Sequence, residues 1–124
     1  MKILNTVNAP QAIGPYSQGI ERNRMVFLSG QIPLDPHTME VVGVDTDAQT
    51  RQVFENMKAV LASAELSLNN VVKTTVFLKN MGDFSAMNTV YAQYFADHKP
   101  ARSTIEVARL PKDCLVEIEC IAMF

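Results

Sequence analysis

The sequence predicts an α+β fold in two layers, a mixed sheet with two helices packed on one of its faces. Two segments, 46–66 and 83–99, carry apolar residues at the spacing of one helix face. Strand-like segments surround them, in the order strands, helix, strand, helix, two strands. The 124 residues, 48% hydrophobic and 19% charged, suit a single domain, 1–124, that can bury a core.

The overall charge of the chain bears on its partners. The formal net charge is −2, the pI is about 5.6, and no run of lysines or arginines appears. We therefore expect no nucleic acid as a partner, because a protein that binds the phosphate backbone needs a basic face. The first residues lack the apolar segment of a signal peptide, and no stretch approaches the length of a membrane span. We expect a cytoplasmic protein without a membrane partner.

The first forty residues predict a short leading strand followed by a strand pair. Gly30 is expected to end the second strand of the pair. Pro33 and Pro36 exclude a helix or a central strand from the irregular segment 31–43. The predicted order is strand 1–6, loop 8–15, strand Tyr16–Glu21, turn Arg22-Asn23 and strand Met25–Ser29.

The first helix is predicted from its start signal and its apolar stripe. Thr46 and Gln49 have the spacing of a capping box, in which each side chain bonds the backbone N–H of the other. The helix is expected to end near Leu66. Its buried stripe is predicted to contain Val53, Met57, Val60, Leu61 and Ala64.

The second half of the chain repeats this alternation of strand and helix. The strand Val71–Leu78 is expected to turn Val72, Thr74, Val76 and Leu78 to one face. Asp83 is expected to cap the second helix, and Pro100 to close that segment. Two more strands, 102–108 and 114–123, follow across a turn at 109–113. The stripe of the second helix is predicted to contain Phe84, Met87, Tyr91, Tyr94 and Phe95.

The last strand predicts an oligomer. Its two faces are both largely apolar, although two helices cover only one face of a sheet. The open face would carry Glu117 and Glu119, so a site there would be shared between identical chains. Both cysteines, Cys114 and Cys120, are expected to be free thiols, and no spacing of histidines and cysteines resembles a metal site. The predicted faces are Val116, Ile118, Cys120 and Ala122 on one side, and Leu115, Glu117, Glu119, Ile121 and Met123 on the other.

A candidate site is predicted from charged residues in extended, buried segments. Arg102 begins one strand, and Glu117 and Glu119 lie within the next. A buried charge is costly unless it is paired or used, because the ion loses its hydration. A fixed cation and a carboxylate together favour a small anionic substrate.

Several blocks of the sequence together resemble one family. The blocks are Ala12–Gly19, Ser29–Pro33, Pro100–Ser103, Glu106–Asp113 and Val116–Glu119. In these residues and in their order the chain resembles the RidA (YjgF) family nearly from end to end. The resemblance implies a chorismate-mutase-like (YjgF-like) fold and a homotrimer with a cleft at each subunit boundary.

The resemblance also implies an activity. Members of the family hydrolyse reactive enamines and imines that pyridoxal-phosphate enzymes release when they dehydrate serine or threonine. The substrates are 2-aminoacrylate and 2-iminobutanoate, and the products are 2-oxo acids and ammonia. Neither a cofactor nor a metal is expected, because a protonated imine is already electrophilic and needs only positioning, an oriented water and proton transfer.

Site residues are carried over by motif. Arg102 is the implied partner of the substrate carboxylate, since its planar fork holds two oxygens at once. Glu117 matches a glutamate that polarises the attacking water. Many members carry cysteine where this chain has Thr104, and the missing thiol argues against a covalent step there. The implied substrate-binding residues are Tyr16, Ser29, Gly30, Asn88, Arg102 and Thr104.

Other interpretations of these residues and of the chain remain open. From the residues alone, Arg102 also fits a structural ion pair, and Glu119 a structural partner. Tyr16 also fits an ordinary core or interface aromatic residue. The same cleft fits a regulatory trimer that binds small carboxylates without turnover. A ribonuclease or translation inhibitor is a third function, disfavoured by the acidic pI.

Overall fold

The computed structural model describes residues 1–124 and contains one six-stranded sheet in the order β1-β2-β3-β6-β4-β5. Only β4 and β5 pair in parallel, so the sheet is mixed, as predicted. Both helices pack on one face of this sheet, which confirms the two-layer α+β fold. The elements are β1 (Lys2–Leu4), β2 (Gly19–Arg22), β3 (Met25–Gln31), α1 (Thr46–Ser63), β4 (Val71–Leu78), α2 (Phe84–Phe95), β5 (Ala101–Glu106) and β6 (Val116–Met123).

The start of α1 differs from the predicted capping box. Asp45 is the N-cap, and its carboxylate accepts the backbone N–H of Ala48 at 2.8 Å. Thr46 is the first helical residue instead. The side chain of Gln49 is buried, donates to the carbonyl of Gly43 at 3.1 Å and accepts the N–H of Leu115 at 2.8 Å. The helix ends at Ser63, earlier than predicted, but the predicted stripe of five residues is buried.

The second helix lies within the predicted segment 83–99, but it ends at Phe95, before Pro100, and its C-cap Ala96 has a positive φ of 55°. Asp83 occupies the N-cap position, but its side chain makes no capping hydrogen bond. Within the predicted stripe, Phe84 and Tyr94 are only partly buried, and the stripe gains Val90, which the prediction omits. The core therefore lies between α1, α2 and the inner face of the sheet.

The bounds and the facing of the strands differ from the predictions at several places. The β2–β3 turn lies at Asn23-Arg24, one residue late, with both φ angles positive at 51° and 63°. Gly30 does not end β3, which continues to Gln31 through an irregular register. Val72 is 41% exposed because a register shift between Val71 and Lys73 places Val71 in the core instead. The remaining differences are that β1 spans only Lys2–Leu4, β2 begins at Gly19, β5 is Ala101–Glu106 and β6 begins at Val116.

The two faces of β6 follow the predicted alternation. Its four inward residues are buried, and the opposite residues point away from the helices. On this open face a row of paired side chains crosses four strands and consists of Ile3, Ile20, Phe27 and Ile121. Phe27 is 43% exposed there. Both cysteines are free and buried, and burial raises the pKa of Cys114 to about 11 and that of Cys120 to about 12.

Candidate functional site

Arg102 lies on β5, an edge strand of the sheet, and its side chain turns to the helix-covered face. One Nη donates a hydrogen bond to Oδ1 of Asn88 on α2 at 2.7 Å. The guanidinium carbon lies 4.6 Å from the centre of the Tyr91 ring and 5.5 Å from that of Phe84. A cation over aromatic faces is attracted to their electron density. The side chain is half-buried, and its other N–H groups have no protein partner.

Tyr91 connects the side chain of Arg102 to the sheet. Its hydroxyl shares a 2.7 Å hydrogen bond with the buried hydroxyl of Thr74 on β4, the residue that pairs with Arg102. Burial raises the pKa of Tyr91, so the phenol stays neutral. The ring is thereby fixed under the guanidinium, which leaves the free edge of Arg102 able to bind a carboxylate through two N–H groups.

A cavity of about 410 Å³ lies beside Arg102 on the helix side of the sheet. It opens to solvent and is bordered by α2, the segment 96–100 and the start of β5. His98 anchors that segment, because its Nε2 bonds the carbonyl of Val71 at 2.6 Å. The lining residues are Asn88, Tyr91, Ala92, Phe95, Ala96, His98, Lys99, Pro100 and Arg102.

Glu117 lies on β6 and points to the open face of the sheet. Burial raises the pKa of this carboxyl, and the nearby charge of Glu119 raises it further. The carboxyl group packs against the backbone of Gly30, where an added Cβ would lie only 2.9 Å from Cδ of Glu117. A side chain at position 30 would therefore displace the carboxyl group.

Tyr16 and Gly30 line a second cavity, of about 360 Å³, formed by the loop before β2, the end of β3 and the turn before β6. Tyr16 is 54% exposed at its edge. Ser29 lies beside it, but its hydroxyl donates to the carbonyl of Ser17 at 2.6 Å, which makes the hydroxyl a structural donor. The positively charged Lys112 also lines this cavity.

Thr104 follows Arg102 by two residues and faces the same side of β5. Its hydroxyl oxygen is buried and has no hydrogen-bond partner in the protein. A substrate in solution does not reach an enclosed hydroxyl directly. Any contact from this residue to a ligand is therefore expected from its backbone.

The predicted site residues form two groups within one chain. Arg102 and Asn88 lie on the helix side, whereas Glu117, Gly30 and Tyr16 lie at the open face and the turns beside it. The strand β4 separates β5 from β6, so Arg102 and Glu117 are two strands apart, roughly 10 Å. The two residues are also displaced along the strand direction by three positions, again roughly 10 Å, because Glu117 lies level with Ile105. One small acid cannot contact both groups in a single chain.

The family model described as Endoribonuclease L-PSP matches residues 6–124. The chain belongs to this family. Solved structures of YjgF and RidA proteins also match it, which confirms the resemblance to RidA (YjgF) proteins in the sequence.

Three relatives of this L-PSP chain illustrate the similarity. A RutC family protein of Pyrococcus horikoshii is 57% identical over 121 residues, which cover 98% of this chain and 96% of the relative. The 2-iminobutanoate/2-iminopropanoate deaminase of Salmonella typhimurium is 51% identical over 125 residues, with coverage of 98% and 97%. The structure of Escherichia coli TdcF with bound serine has a TM-score of 0.95 at 47% identity, with coverage of 100% and 99%.

One residue of this L-PSP site, Tyr91, is predicted from the sequence only as part of the buried stripe of the second helix. In the structure it also contacts Arg102 directly. The available signal was its spacing from Asn88, since residues three apart share a helix face. No three His, Cys, Asp or Glu side chains lie close enough together to hold a metal ion. No helix combines the length and hydropathy needed to cross a bilayer.

Proposed function

We propose that this L-PSP family protein is a hydrolytic deaminase that converts 2-aminoacrylate and 2-iminobutanoate to 2-oxo acids and ammonia. The observation that carries the proposal is the fixed guanidinium of Arg102, which is held by Asn88 and Tyr91 with its outer N–H groups free. A relative 51% identical to this chain bears the name of this deaminase, whereas others bear only the RutC family name.

The substrate carboxylate binds the free edge of Arg102 in two charge-assisted hydrogen bonds. Asn88 and Tyr91 fix the guanidinium, and the backbone around Thr104 borders the carboxylate. An enamine first takes a proton at carbon and becomes the imine. The protonated C=N bond is then the electrophile, so this step needs only an oriented water and a base.

Glu117 supplies that base. Its carboxylate accepts a proton from the water, whose oxygen bonds to the imine carbon while the C=N electron pair moves to nitrogen. The proton then passes to the nitrogen, and the C–N bond breaks as the hydroxyl loses its own proton, which gives the 2-oxo acid and ammonia. Gly30 leaves space for the carboxyl group, and Tyr16 with Ser29 borders the cleft.

Within a single chain, Arg102 and Glu117 lie too far apart to act on one substrate. The proposed reaction therefore needs two chains in contact. We propose a homotrimer in which the open sheet faces pack inward and each cleft joins Arg102 of one subunit to Glu117 of the next. The apolar row across four strands of the open face supports such packing, since monomers rarely leave a large apolar patch exposed. The short-lived substrate further favours a location beside the dehydratases of the cytoplasm.

The test adds the purified protein to a threonine dehydratase that is turning over threonine. The wild type should accelerate release of 2-oxobutanoate and ammonia, and Arg102→Ala should abolish the gain while circular dichroism shows an intact fold. A matched control is Arg51→Ala, since Arg51 lies on the outer surface of α1 and pairs only with Asp47. No acceleration by the wild type would refute the deaminase.

The same preparation separates the alternatives. A regulatory trimer would bind 2-oxobutanoate in calorimetry and leave the dehydratase reaction unchanged. The family description names an endoribonuclease, but the net charge of −2 does not favour RNA. Cleavage of RNA that disappears with a single site substitution would support that activity instead.

A further inference from the structure

The turn Pro111–Cys114, which precedes β6, holds Lys112 in an uncommon backbone conformation. The N–H of Cys114 donates to the carbonyl of Pro111 at 3.2 Å, and the φ angles of Lys112 and Asp113 are both positive, at 53° and 54°. Turns with two positive φ angles favour glycine, asparagine and aspartate at these positions, so Asp113 suits the turn and Lys112 does not. Residues held in such sparsely populated conformations cluster at sites that bind ligands.

Other groups fix this turn without using the Lys112 side chain. The carboxylate of Asp113 forms an ion pair with Nζ of Lys79 at 2.9 Å, and the flanking side chains of Leu110 and Cys114 are buried. Lys112 itself forms no ion pair with any acidic residue of the chain. Its ammonium, on a flexible stem, is therefore free to bind an anion from outside the chain.

Lys112 lines the cavity of about 360 Å³ that Tyr16 and Gly30 also line, and small-molecule sites have volumes of roughly 300–1,000 Å³. No residue that lines this cavity is acidic, so nothing within it neutralises the charge of Lys112. The carboxyl group of Glu117 packs against Gly30, but its pKa is raised, whereas a neighbouring ammonium would lower it. Lys112 therefore does not serve as the partner of Glu117.

The polar side chains of this cavity that remain free are able to donate hydrogen bonds. Gln18 and Gln31 are buried, and their amide groups donate to backbone carbonyls. Gln11, Tyr16 and Lys112 also line the cavity, and their side chains form no hydrogen bond within the chain. Each of these three can donate, and only one of them is charged. An ammonium with neutral donors beside it favours a carboxylate.

The position of this cavity defines which part of a substrate would enter it. In the proposed cleft, Arg102 of one subunit holds the carboxylate next to the C=N bond, and Glu117 of the next subunit faces the C=N carbon. Gly30 borders both the carboxyl group of Glu117 and the cavity, so the substrate side chain extends from that carbon toward Lys112. The ethyl group of 2-iminobutanoate offers nothing to an ammonium, whereas a side chain that ends in a carboxylate does.

We propose that this cavity binds the distal carboxylate of a dicarboxylic 2-imino acid and that Lys112 selects this class of substrate. The inference rests on the proposed function, because it uses the same cleft and the same hydrolysis. Water adds to the C=N carbon and the C–N bond breaks, so one 2-imino diacid and one water give one 2-oxo diacid and one ammonia. The distal carboxylate accepts a charge-assisted hydrogen bond from Lys112, beside Gln11 and Tyr16.

The activity test compares two imines on the full chain. Glutamate oxidase with catalase generates 2-iminoglutarate from glutamate, threonine dehydratase generates 2-iminobutanoate from threonine, and semicarbazide traps the imine that escapes hydrolysis. The wild type should reduce the trapping of both imines. Lys112→Asn should lower kcat/KM for 2-iminoglutarate about tenfold and leave that for 2-iminobutanoate within about twofold.

The choice of variants separates the charge of Lys112 from the stability of its turn. Asparagine favours a positive φ, so Lys112→Asn removes the charge while it keeps or improves the turn, and the melting temperature should not fall. Lys112→Arg retains the charge and should retain hydrolysis of 2-iminoglutarate. Lys58→Gln is the control, because Lys58 lies on α1, pairs with Glu55 and does not line this cavity.

Calorimetry distinguishes failure of this inference from failure of the deaminase. The wild type should bind 2-oxoglutarate about tenfold more tightly than 2-oxobutanoate, and Lys112→Asn should remove this preference. That result supports the site even if neither imine is hydrolysed. Hydrolysis of 2-iminobutanoate without hydrolysis of 2-iminoglutarate overturns the site and leaves the deaminase standing. An equal loss of both activities in Lys112→Asn, or equal affinity of the wild type for the two oxo acids, also overturns it.

Discussion

The guanidinium carbon of Arg102 lies 4.6 Å from the ring centre of Tyr91, whose hydroxyl is bonded to Thr74 in the sheet. The proposed acid anchor is thus attached to the core through an aromatic ring. An anchored guanidinium loses little side-chain entropy when an acid binds, so its pre-organisation favours affinity.

Substitution of Tyr91 tests this positioning role. Tyr91→Leu removes the aromatic face, so we expect KM in the coupled dehydratase assay to rise about tenfold with kcat less affected. Tyr91→Phe keeps the face and should keep KM near that of the wild type. It leaves the buried Thr74 hydroxyl without a partner and should lower the free energy of unfolding by about 1–3 kcal/mol. Equal KM values for the two variants would mean that Tyr91 only packs.

Gly30→Ala tests the location of the carboxyl group of Glu117. The added Cβ meets this carboxyl group and must displace it, so we expect kcat to fall about tenfold or more with a small change in melting temperature. Gly82→Ala is the control, because it lies in an exposed turn away from both cavities. Full activity in Gly30→Ala would exclude Glu117 as the group that orients water.

The dependence of rate on pH tests the state of Glu117. Within one chain, burial and the charge of Glu119 raise the pKa of Glu117. The ionised form is the base, so activity should rise with pH as this carboxyl group ionises. Glu119→Gln removes the repelling charge, lowers the pKa of Glu117 and should move the midpoint of this rise to lower pH. Glu40→Gln, an exposed position elsewhere, should leave it in place. A shift in the opposite direction would contradict the assignment of the base.

The start of α1 offers a stability test. Asp45→Ala removes the bond to the N–H of Ala48 and should lower the free energy of unfolding by about 1 kcal/mol in urea denaturation. Asp47→Ala, which breaks an exposed ion pair with Arg51, should cost at most about 0.5 kcal/mol. Equal losses in the two variants would show that Asp45 does not act as the cap.

Periodicity predicted the helices and strands because burial repeats at short, local intervals. The stripe of α1 and the alternation along β6 are examples. The capping box failed because Gln49 bonds Leu115, a partner 66 positions away, which no local pattern reveals. Val72 broke its alternation for a similar reason, since the register shift arises only when β4 pairs with β6.

The candidate site likewise has features that local sequence indicates and features that only the folded chain determines. The sequence blocks indicated Arg102 and Glu117, but their opposite orientation depends on the pairing of β5 and β6 with β4. The parallel pairing of β5 with β4, next to the antiparallel pairing of β6 with β4, is established only when the sheet forms. The contact of Tyr91 with Arg102 likewise depends on how α2 lies across the strand edge.

The opposite orientation of Arg102 and Glu117 has a genetic consequence for a shared cleft. Chains of Arg102→Ala and of Glu117→Ala should each be inactive alone, yet hybrids refolded from an equal mixture should rebuild some intact clefts. If three chains assemble at random, roughly three quarters of the assemblies are hybrids with one intact cleft in three, so about a quarter of wild-type activity returns. Complementation between two dead alleles would thus be visible in a cell that expresses both.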